Sequence, residues 1–171
     1  MVGMRVCYGT RMPVIVLNRE EKGMNLQRAI EIAVEAHRND VDKGGNPYIL
    51  HPLRLMMQMH TDEERMVAVL HDVIEDHPDE WSFDRLKREK FSEEVISGLQ
   101  SVTKNASEHA NKDDETYFAF VKRAASHPIG RKVKIADISD NLDIRRLGDE
   151  ITDNDVARIR RYKKALALLI G

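Results

Sequence analysis

The sequence predicts an all-α fold, and two observations carry this prediction. From residue 24 onward, apolar residues recur at the three- and four-residue spacing of a helix face, and residues able to cap helices precede several of these stretches. No segment after residue 23 alternates convincingly at the period of two that is typical of strands. We therefore expect an irregular bundle of about seven or eight helices.

The first half of the chain divides into three helices. Residues 29–36 place alanine and isoleucine on one face of a helix that ends shortly afterwards. Glycine, asparagine and proline predict a loop at 44–47, and a proline in the first turn suits a short helix over 52–60. Thr61, followed by a glutamate three residues later, predicts a capping box for one helix through residues 67–76, which a proline at position 78 ends.

The second half of the chain also predicts helices separated by short loops. Ser82 and Ser92 are suitable N-caps for two further helices. The polar segment 104–114 predicts a loop. Three longer helices are expected over residues 115–126, 127–147 and 152–170, the last with Thr152 or Asp153 as its cap.

The 23 residues at the start differ from the rest. They predict an extended or irregular N-terminal extension with a short candidate strand at 14–17, whereas residues 24–171 predict one domain. A single domain suits 171 residues, because a chain near this size buries about 70% of its unfolded surface.

Composition excludes several classes of protein. The net charge of −2 gives no general attraction to nucleic acid or to anionic lipid. Cys7 is the single cysteine, so no internal disulfide can form and a reducing cytoplasm is the expected compartment. No apolar run approaches the roughly 20 residues that a membrane helix needs. We expect a cytoplasmic protein, and the sequence leaves its assembly open, including a homo-oligomer.

Residues 67–76, VAVLHDVIED, place charged side chains in a run that otherwise belongs in a core. On a helix, at about 100° per residue, His71, Glu75, Asp72 and Asp76 lie at about 0°, 40°, 100° and 140°. The opposite third of the helix is apolar, and charged side chains are seldom buried without a partner. The stripe therefore predicts a site that holds a cation or a ligand, or that lines a water-filled cavity.

Three segments supply candidate metal ligands: His51, the pair His71 and Asp72, and Asp137. Two imidazoles and two carboxylates form a mixed nitrogen and oxygen set, which suits Mn²⁺, Fe²⁺ or Zn²⁺. His71 and Asp72 point about 100° apart on a helix, so both reach one ion only if it lies against the helix wall between them. A His-Asp pair also arises by chance, and a purely structural role is the alternative.

The helix that carries Asp137 has a polar stripe of its own. Asn141, Lys134 and Arg145 lie within about 80° of Asp137 on the helical wheel, and the remaining positions include apolar residues. Asp137 could bind the ion, Asn141 could hold a ligand oxygen, and the two cations could bind phosphates. The alternative is a solvated face with pairs of opposite charge worth about 0.2–0.5 kcal/mol each.

Taken together, these motifs resemble the hydrolase domain of the RelA/SpoT family, within the HD-domain metal-dependent phosphohydrolases. The shared elements are AH at 36–37, KGGNPYILHP at 43–52, VLHDVIED at 69–76, and VKIAD followed by NL at 133–142. The match spans residues 24–147 and implies an HD-domain helical bundle over 24–171. No synthetase domain fits in the residues left over, so the resemblance implies a stand-alone small alarmone hydrolase.

The resemblance also implies roles for individual residues. One Mn²⁺ ion is expected on His51, His71, Asp72 and Asp137, with Fe²⁺ or Zn²⁺ as alternatives. Glu75 and Asp76 match the pair that orients and deprotonates the attacking water. The residues expected to contact the substrate are Lys43, Tyr48, Lys134, Asn141, Arg145, Arg158 and Tyr162. For Tyr162, ordinary core packing with a surface hydroxyl is the alternative.

One segment departs from the family pattern. Where bifunctional members have Gln and Arg between the AH and the following lysine, this chain has Asp40 and Asp42. The arginine of that pattern contacts a guanine base, and a carboxylate offers no guanidinium donors and repels phosphate. The departure leaves the substrate open among guanosine tetraphosphate, an adenine alarmone and another phosphorylated nucleotide.

Three functions follow as hypotheses. The first is metal-dependent release of pyrophosphate from a nucleoside 3′-diphosphate of the ppGpp or ppApp type. The second keeps the metal but acts on a nucleotide monophosphate, as other HD phosphohydrolases do. The third is a non-catalytic nucleotide-binding module, which the intact pair of Glu75 and Asp76 disfavours, because a binder needs no base.

Overall fold

The computed structural model describes residues 26–111, 113–146 and 151–171, and within these ranges the fold is all-α. The predicted fold class is therefore confirmed. The described helices are α1 (Leu26–Ala36), α2 (Leu50–Met57), α3 (Asp62–Leu70), α4 (Val73–Asp76), α5 (Phe83–Arg88), α6 (Glu93–Val102), α7 (Ala106–Ala110), α8 (Asp114–Ala125), α9 (Pro128–Asn141) and α10 (Asp153–Ile170). Seven of these have eight residues or more, and α4, α5 and α7 are shorter. The predicted extension over residues 1–23, with its candidate strand at 14–17, lies outside the described residues.

Helix α3 lies at the centre of the bundle and packs against α1, α2, α6 and α9. Its side chains from Met66 to Leu70 are all buried. Gly98 on α6 allows the close approach of that helix, because a Cβ atom there would lie 2.8 Å from Cγ2 of Val67. A second, smaller apolar cluster joins α8, α9 and α10 through Val121, Ile138, Ala165 and Leu169.

The predicted caps are confirmed where they rest on local sequence. Thr61 begins α3 with a complete capping box: its hydroxyl accepts from the N–H of Glu64, whose side chain accepts from the N–H of Thr61. Ser82 and Ser92 cap α5 and α6 in the expected way. Thr152 caps α10. Each cap satisfies N–H groups that the first helical turn leaves without partners.

The helix expected through residues 67–76 is divided at His71 and Asp72 into α3 and α4. Nδ1 of His71 lies 2.9 Å from the carbonyl oxygen of Ala68. In a continuous helix this carbonyl would accept from the N–H of Asp72. Competition from a side chain for the carbonyl therefore accounts for the break, which falls at the two candidate metal ligands.

Two other expectations about helices were wrong. Helix α9 ends at Asn141, not at 147, and a 3₁₀ turn over Ile144–Arg146 follows. The carboxylate of Asp143 accepts from the N–H of Arg145, which favours a turn over further helix. The segment 104–114 contains the short helix α7, because Asn105 and Glu108 form a capping box.

No helix in the described ranges has the length and apolar character of a membrane-crossing segment.

Candidate active site

Three candidate ligands from α2 and from the break between α3 and α4 lie together. Nε2 of His71 is 2.7 Å from Oδ2 of Asp72, and Nε2 of His51 is 3.9 Å from the same oxygen. The ligand atoms of His51, His71 and Asp72 all lie within 4.8 Å of one another. The sequence separates His51 from the other two by about 20 residues, and the packing of α2 on α3 closes that separation.

The tautomer of His71 is set by its second ring nitrogen. Nδ1 faces the carbonyl of Ala68, an acceptor, so in the neutral ring Nδ1 carries the proton and Nε2 carries the lone pair. His71 is buried, and its Nε2 has no hydrogen-bond partner among the described residues. A lone pair beside the carboxylate of Asp72 is unfavourable unless a proton or a metal ion lies between the two groups; burial lowers the pKa of His71, but the charge of Asp72 outweighs burial and raises it.

His51 is oriented by a carboxylate behind it. Its Nδ1 lies 2.7 Å from Oδ2 of Asp140, which leaves Nε2 directed toward Asp137, with 3.4 Å between Nε2 and Oδ1. Burial lowers the pKa of His51, but hydrogen bonds to Asp137 and Asp140 outweigh burial and raise it to about 9. The surroundings of His51 therefore stabilise a positive charge, which a proton or a metal ion can supply.

Asp137 lies on α9 with both carboxylate oxygens held. Lys134 donates to Oδ2 at 2.7 Å, and the amide of Asn141 donates to Oδ1 at 2.6 Å. Burial raises the pKa of Asp137, but the charge of Lys134 and the contact with His51 hold it well below its ordinary value. Asp137 is therefore ionised and fixed in position, and its Oδ1 faces His51.

The donor set fits a divalent ion. Two imidazole nitrogens, once their protons are displaced, and two ionised carboxylates are the ligands that Mn²⁺, Fe²⁺ and Zn²⁺ share. The buried Nε2 of His71 lacks a hydrogen-bond partner in the described ranges, and an ion would bind its lone pair. Asp140 behind His51 and the Ala68 carbonyl behind His71 complete the outer contacts that metal-binding histidines usually make.

Glu75 and Asp76, on α4, have different surroundings. Glu75 accepts from the backbone N–H of Lys104 at 3.0 Å and from its ammonium at 2.5 Å. Asp76 makes no side-chain hydrogen bond with the described residues. Partial desolvation, together with the charges of Asp72 and Glu75, raises the pKa of Asp76 to about 6. Asp76 is thus the carboxylate of the pair with free oxygens and a pKa suited to accepting a proton near neutral pH.

Tyr48 lies inside the site, at the start of α2. Its hydroxyl donates to Oδ2 of Asp72 at 2.5 Å, the same oxygen that faces His71. Burial and the negative charge of Asp72 raise the pKa of Tyr48, so its hydroxyl keeps its proton. In this structure Tyr48 therefore orients a candidate metal ligand.

A cavity of about 300 Å³ opens beside α4. Cations and aromatic rings dominate its lining, which includes Lys104, Tyr117, Phe120, Arg158, Arg161 and Tyr162. Two contacts connect the lining of the cavity to residues of the candidate site. Lys104 also binds Glu75, and Lys134, which holds Asp137, lies 4.7 Å from the centre of the Phe120 ring. Arg158 and Tyr162 lie one turn apart on α10, and both line this cavity.

Two of the residues expected at the substrate lie elsewhere. The guanidinium of Arg145 is exposed and bound to Asp143, because α9 ends before it. Lys43 donates to Oδ1 of Asp155 at 3.0 Å and thereby links the loop before α2 to the first turn of α10. Lys134 and Asn141 do lie at the site, where their contacts are with Asp137.

Sequence reasoning missed Asp140, Arg146 and Lys104. Asp140 follows Asp137 by three residues on the same helix, and that spacing could have shown it. Arg146 donates to Asp140 and lies 3.6 Å from Asp42, a contact between distant segments with no local pattern. Lys104 lies in a segment that composition alone assigns to a loop.

Comparison with known proteins identifies relatives of one kind. No protein-family model matches the chain. A protein of Aquifex aeolicus (strain VF5) named guanosine-3′,5′-bis(diphosphate) 3′-pyrophosphohydrolase is 32% identical over 122 residues, which cover 68% of this chain and 17% of that protein. A protein of Haemophilus influenzae with the same name is 38% identical over 79 residues, 43% of this chain and 11% of that protein.

The bifunctional (p)ppGpp synthase/hydrolase SpoT of Escherichia coli (strain K12) is 33% identical over 89 residues, 50% of this chain and 13% of that protein. The matched region thus spans less than a fifth of the length of each of these relatives. The similarity nevertheless reaches proteins from several bacteria that share one named hydrolase activity, and the chain belongs to the RelA/SpoT family.

Proposed function

We propose that this chain, through residues 24–171, is a metal-dependent hydrolase of nucleoside 3′-pyrophosphates of the ppGpp or ppApp type. The observation that carries this proposal is the convergence of His51, His71 and Asp72 within 4.8 Å, with Asp137 against His51. The His-Asp pair at its centre supports membership of the HD-domain phosphohydrolases. The named activity of the relatives supports the choice of substrate class.

His51, His71, Asp72 and Asp137 would hold one divalent ion, which we propose to be Mn²⁺, with Fe²⁺ or Zn²⁺ as alternatives that the same ligands accept. When bound, such an ion lowers the pKa of water and offsets the negative charge of phosphate oxygens. The protein fixes the ligands through Asp140, Tyr48 and the carbonyl of Ala68.

Asp76 is the proposed general base. Its pKa of about 6 leaves it ionised at neutral pH, and no described side chain occupies its oxygens. It would accept a proton from the water that attacks the phosphorus of the 3′-pyrophosphoryl group. The bond between that phosphorus and the 3′ oxygen then breaks, pyrophosphate leaves, and the 3′ oxygen takes a proton. Glu75 accepts hydrogen bonds from Lys104, which lines the cavity, and would help to position Asp76 beside it.

The cavity beside α4 is the proposed site for the rest of the substrate. Lys104, Arg158 and Arg161 offer positive charge to phosphates, and Tyr117 and Tyr162 offer ring surfaces to a ribose or a base. Lys43 does not line the cavity, but its partner Asp155 also lies 3.5 Å from the guanidinium of Arg158, which does.

The loop before α2 has a different task from the one that the family pattern suggests. Asp42 accepts from the backbone N–H groups of Gly44 and Asn46 and lies near Arg146, so its carboxylate stabilises the loop itself. This use of Asp42 explains how the loop keeps its form without the family arginine. It also removes the guanidinium that would favour a guanine base, and we therefore propose the 3′-pyrophosphoryl group, not the base, as the recognised feature.

The test is a panel of nucleotides scored by product. The chain is incubated with guanosine and adenosine 3′,5′-bis(diphosphates) and with nucleoside monophosphates, each with Mn²⁺, Zn²⁺, Fe²⁺ or a chelator. We expect pyrophosphate from the bis(diphosphates), none with the chelator, and none from Asp137→Ala with any ion. Asp79→Asn, an exposed carboxylate outside the site, is the matched control.

Two results would contradict the proposal. Orthophosphate released from monophosphates alone would assign the chain to the nucleotide monophosphatases. Tight binding of a bis(diphosphate) without turnover under any metal would identify a nucleotide-binding module.

A further inference from the structure

A second group of histidine and aspartate side chains lies outside the proposed catalytic centre. His37 follows α1, Asp40 lies three residues further on, and His77 follows α4. Nδ1 of His37 and Nε2 of His77 each lie 2.8 Å from Oδ2 of Asp40, and the two nitrogens are 3.3 Å apart. Three potential ligand atoms from two distant segments therefore form a small triangle.

Protons and a metal ion can both satisfy this group. If both nitrogens carry protons, each donates to Oδ2 of Asp40, and the 3.3 Å between the nitrogens is a non-bonded distance. If both nitrogens give up these protons, lone pairs of two nitrogens and one oxygen meet in the triangle, and a cation between the three atoms makes every contact favourable. Metal binding here therefore releases protons.

The dimensions and exposure suit a metal ion. Bonds of about 2.0–2.1 Å around a tetrahedral Zn²⁺ place ligand atoms about 3.3 Å apart, so the two shorter edges need to open by about 0.5 Å. His37 is buried, whereas Asp40 and His77 are partly exposed, which gives an ion a route of entry and a water as a further ligand. Nδ1 faces this triangle, and the other nitrogen of His37 has no hydrogen-bond partner among the described residues.

We propose that His37, Asp40 and His77 bind a second divalent transition-metal ion, of which Zn²⁺ is the representative. Two nitrogen ligands and one oxygen ligand favour Zn²⁺ and its neighbours in the series over Mg²⁺ or Ca²⁺. This site shares no ligand with His51, His71, Asp72 and Asp137.

The second site lies directly behind the first. The ring of His37 is 4.8 Å from the ring of Tyr48, measured between centres, and Tyr48 donates to Asp72. Its ligands join the loop before α2, which carries Lys43 and Tyr48, to the residue after Asp76. An ion there would link the loop before α2 to the end of α4 and would stabilise the contact between Tyr48 and Asp72.

Metal stoichiometry tests this inference. The full chain is stripped of metal with a chelator, dialysed against Zn²⁺ and analysed for bound metal. We expect two equivalents for the unmodified chain, one for His77→Gln, one for Asp40→Asn and one for Asp137→Ala. His60→Gln and Asp79→Asn, which alter exposed side chains of the same types, should keep two. The equivalent that remains in each single variant shows that the variant is folded.

The outcomes separate this inference from the proposed function. Suppose the unmodified chain binds one equivalent of Zn²⁺. If His77→Gln keeps that equivalent and Asp137→Ala loses it, the second site is overturned and the hydrolase proposal stands. If His77→Gln loses it and Asp137→Ala keeps it, the second site is supported and the catalytic metal is contradicted. Two equivalents in both His77→Gln and Asp40→Asn would also overturn the inference. As a second readout, Zn²⁺ should raise the melting temperature of Asp137→Ala but not that of Asp137→Ala combined with His77→Gln.

Discussion

Nδ1 of His51 lies 2.7 Å from Oδ2 of Asp140, and Arg54 and Arg146 donate to the same carboxylate. Burial raises the pKa of Asp140, but the contacts with His51 and Arg54 hold it well below its ordinary value. An ionised carboxylate thus fixes the ring of a candidate metal ligand and increases the basicity of the nitrogen that faces the site.

We therefore expect Asp140→Ala to weaken binding of the catalytic ion about 10- to 100-fold. Asp140→Asn should weaken it less, because the amide oxygen still accepts from His51 but carries no charge. Titration of the metal-free protein with Mn²⁺, with Asp79→Asn as the control, measures the effect. Equal affinity in Asp140→Ala and the control would show that the contact has no role in metal binding.

Replacing the proposed base should separate metal binding from turnover. Asp76→Asn should keep the ion and lower kcat by about 10²- to 10⁴-fold, the usual contribution of a general base. Glu75→Gln should lower kcat by a smaller factor, since its carboxylate is occupied by Lys104. Steady-state kinetics with Mn²⁺ in excess provide both values. A larger loss of kcat in Glu75→Gln than in Asp76→Asn would identify Glu75 as the general base and Asp76 as the positioning residue.

The pH dependence of turnover should show one acidic limb. The general base has to be ionised, and the pKa of Asp76 is raised to about 6 by desolvation and by the charges of Asp72 and Glu75. The value of kcat/KM should therefore fall as pH decreases through about 6, or through a lower pH when a bound cation adds positive charge. The measurement is kcat/KM from pH 4.5 to 8.5 at saturating Mn²⁺. If kcat/KM of Asp76→Asn falls at the same pH, another group is responsible for the acidic limb.

The same pKa has a consequence for stability. A carboxyl whose pKa is higher in the folded state than in the unfolded chain favours folding when protonated and opposes it when ionised. Asp76→Asn should therefore stabilise the metal-free protein at pH 8 by about 1 kcal/mol, after allowance for the exposure of the side chain. The expected rise in Tm is about 2–4 °C at pH 8, about half of that at pH 5, and none at pH 3.5, below the pKa of the unfolded chain. Thermal unfolding in a chelator at the three pH values measures it, and a gain confined to pH 3.5 would contradict the assignment.

The contact between α3 and α6 gives a prediction about the core. A Cβ atom at Gly98 would lie 2.8 Å from Cγ2 of Val67, which is fully buried. Gly98→Ala should lower the free energy of unfolding by about 1–3 kcal/mol, because either α6 or Val67 has to move. Denaturant unfolding measures this, and Gln100→Ala, an exposed position on the same helix, is the control. An unchanged denaturation midpoint in Gly98→Ala would show that α6 and Val67 accommodate the added methyl group without loss of stability.

The sequence predicted best what neighbouring residues decide. Thr61 with Glu64 and Thr152 with Asp155 form capping boxes within one turn, so the starts of α3 and α10 could be predicted from four residues each. The same rule applies to Asn105 and Glu108, whose capping box begins α7 inside a segment that polar composition alone assigns to a loop.

Contacts between distant segments explain the remaining differences. Helix α3 breaks where the ring of His71 takes the carbonyl of Ala68, and a helical wheel contains no such competition. The partnership of His51 with Asp140 spans 89 residues and depends on how α2 packs on α9. The motifs indicated which residues lie at the site, but the roles of Asp140, Arg146 and Lys104 required the packed structure.

The ion pair between Lys43 and Asp155 joins the loop before α2 to the first turn of α10. The ammonium of Lys43 is more than half exposed, and such a pair contributes only about 0–1 kcal/mol and is screened by salt. His51 and Asp137, by contrast, are buried, so salt screens their contacts with Asp140 and Lys134 much less. Rising ionic strength can therefore loosen the loop from α10 while the candidate metal ligands keep their arrangement.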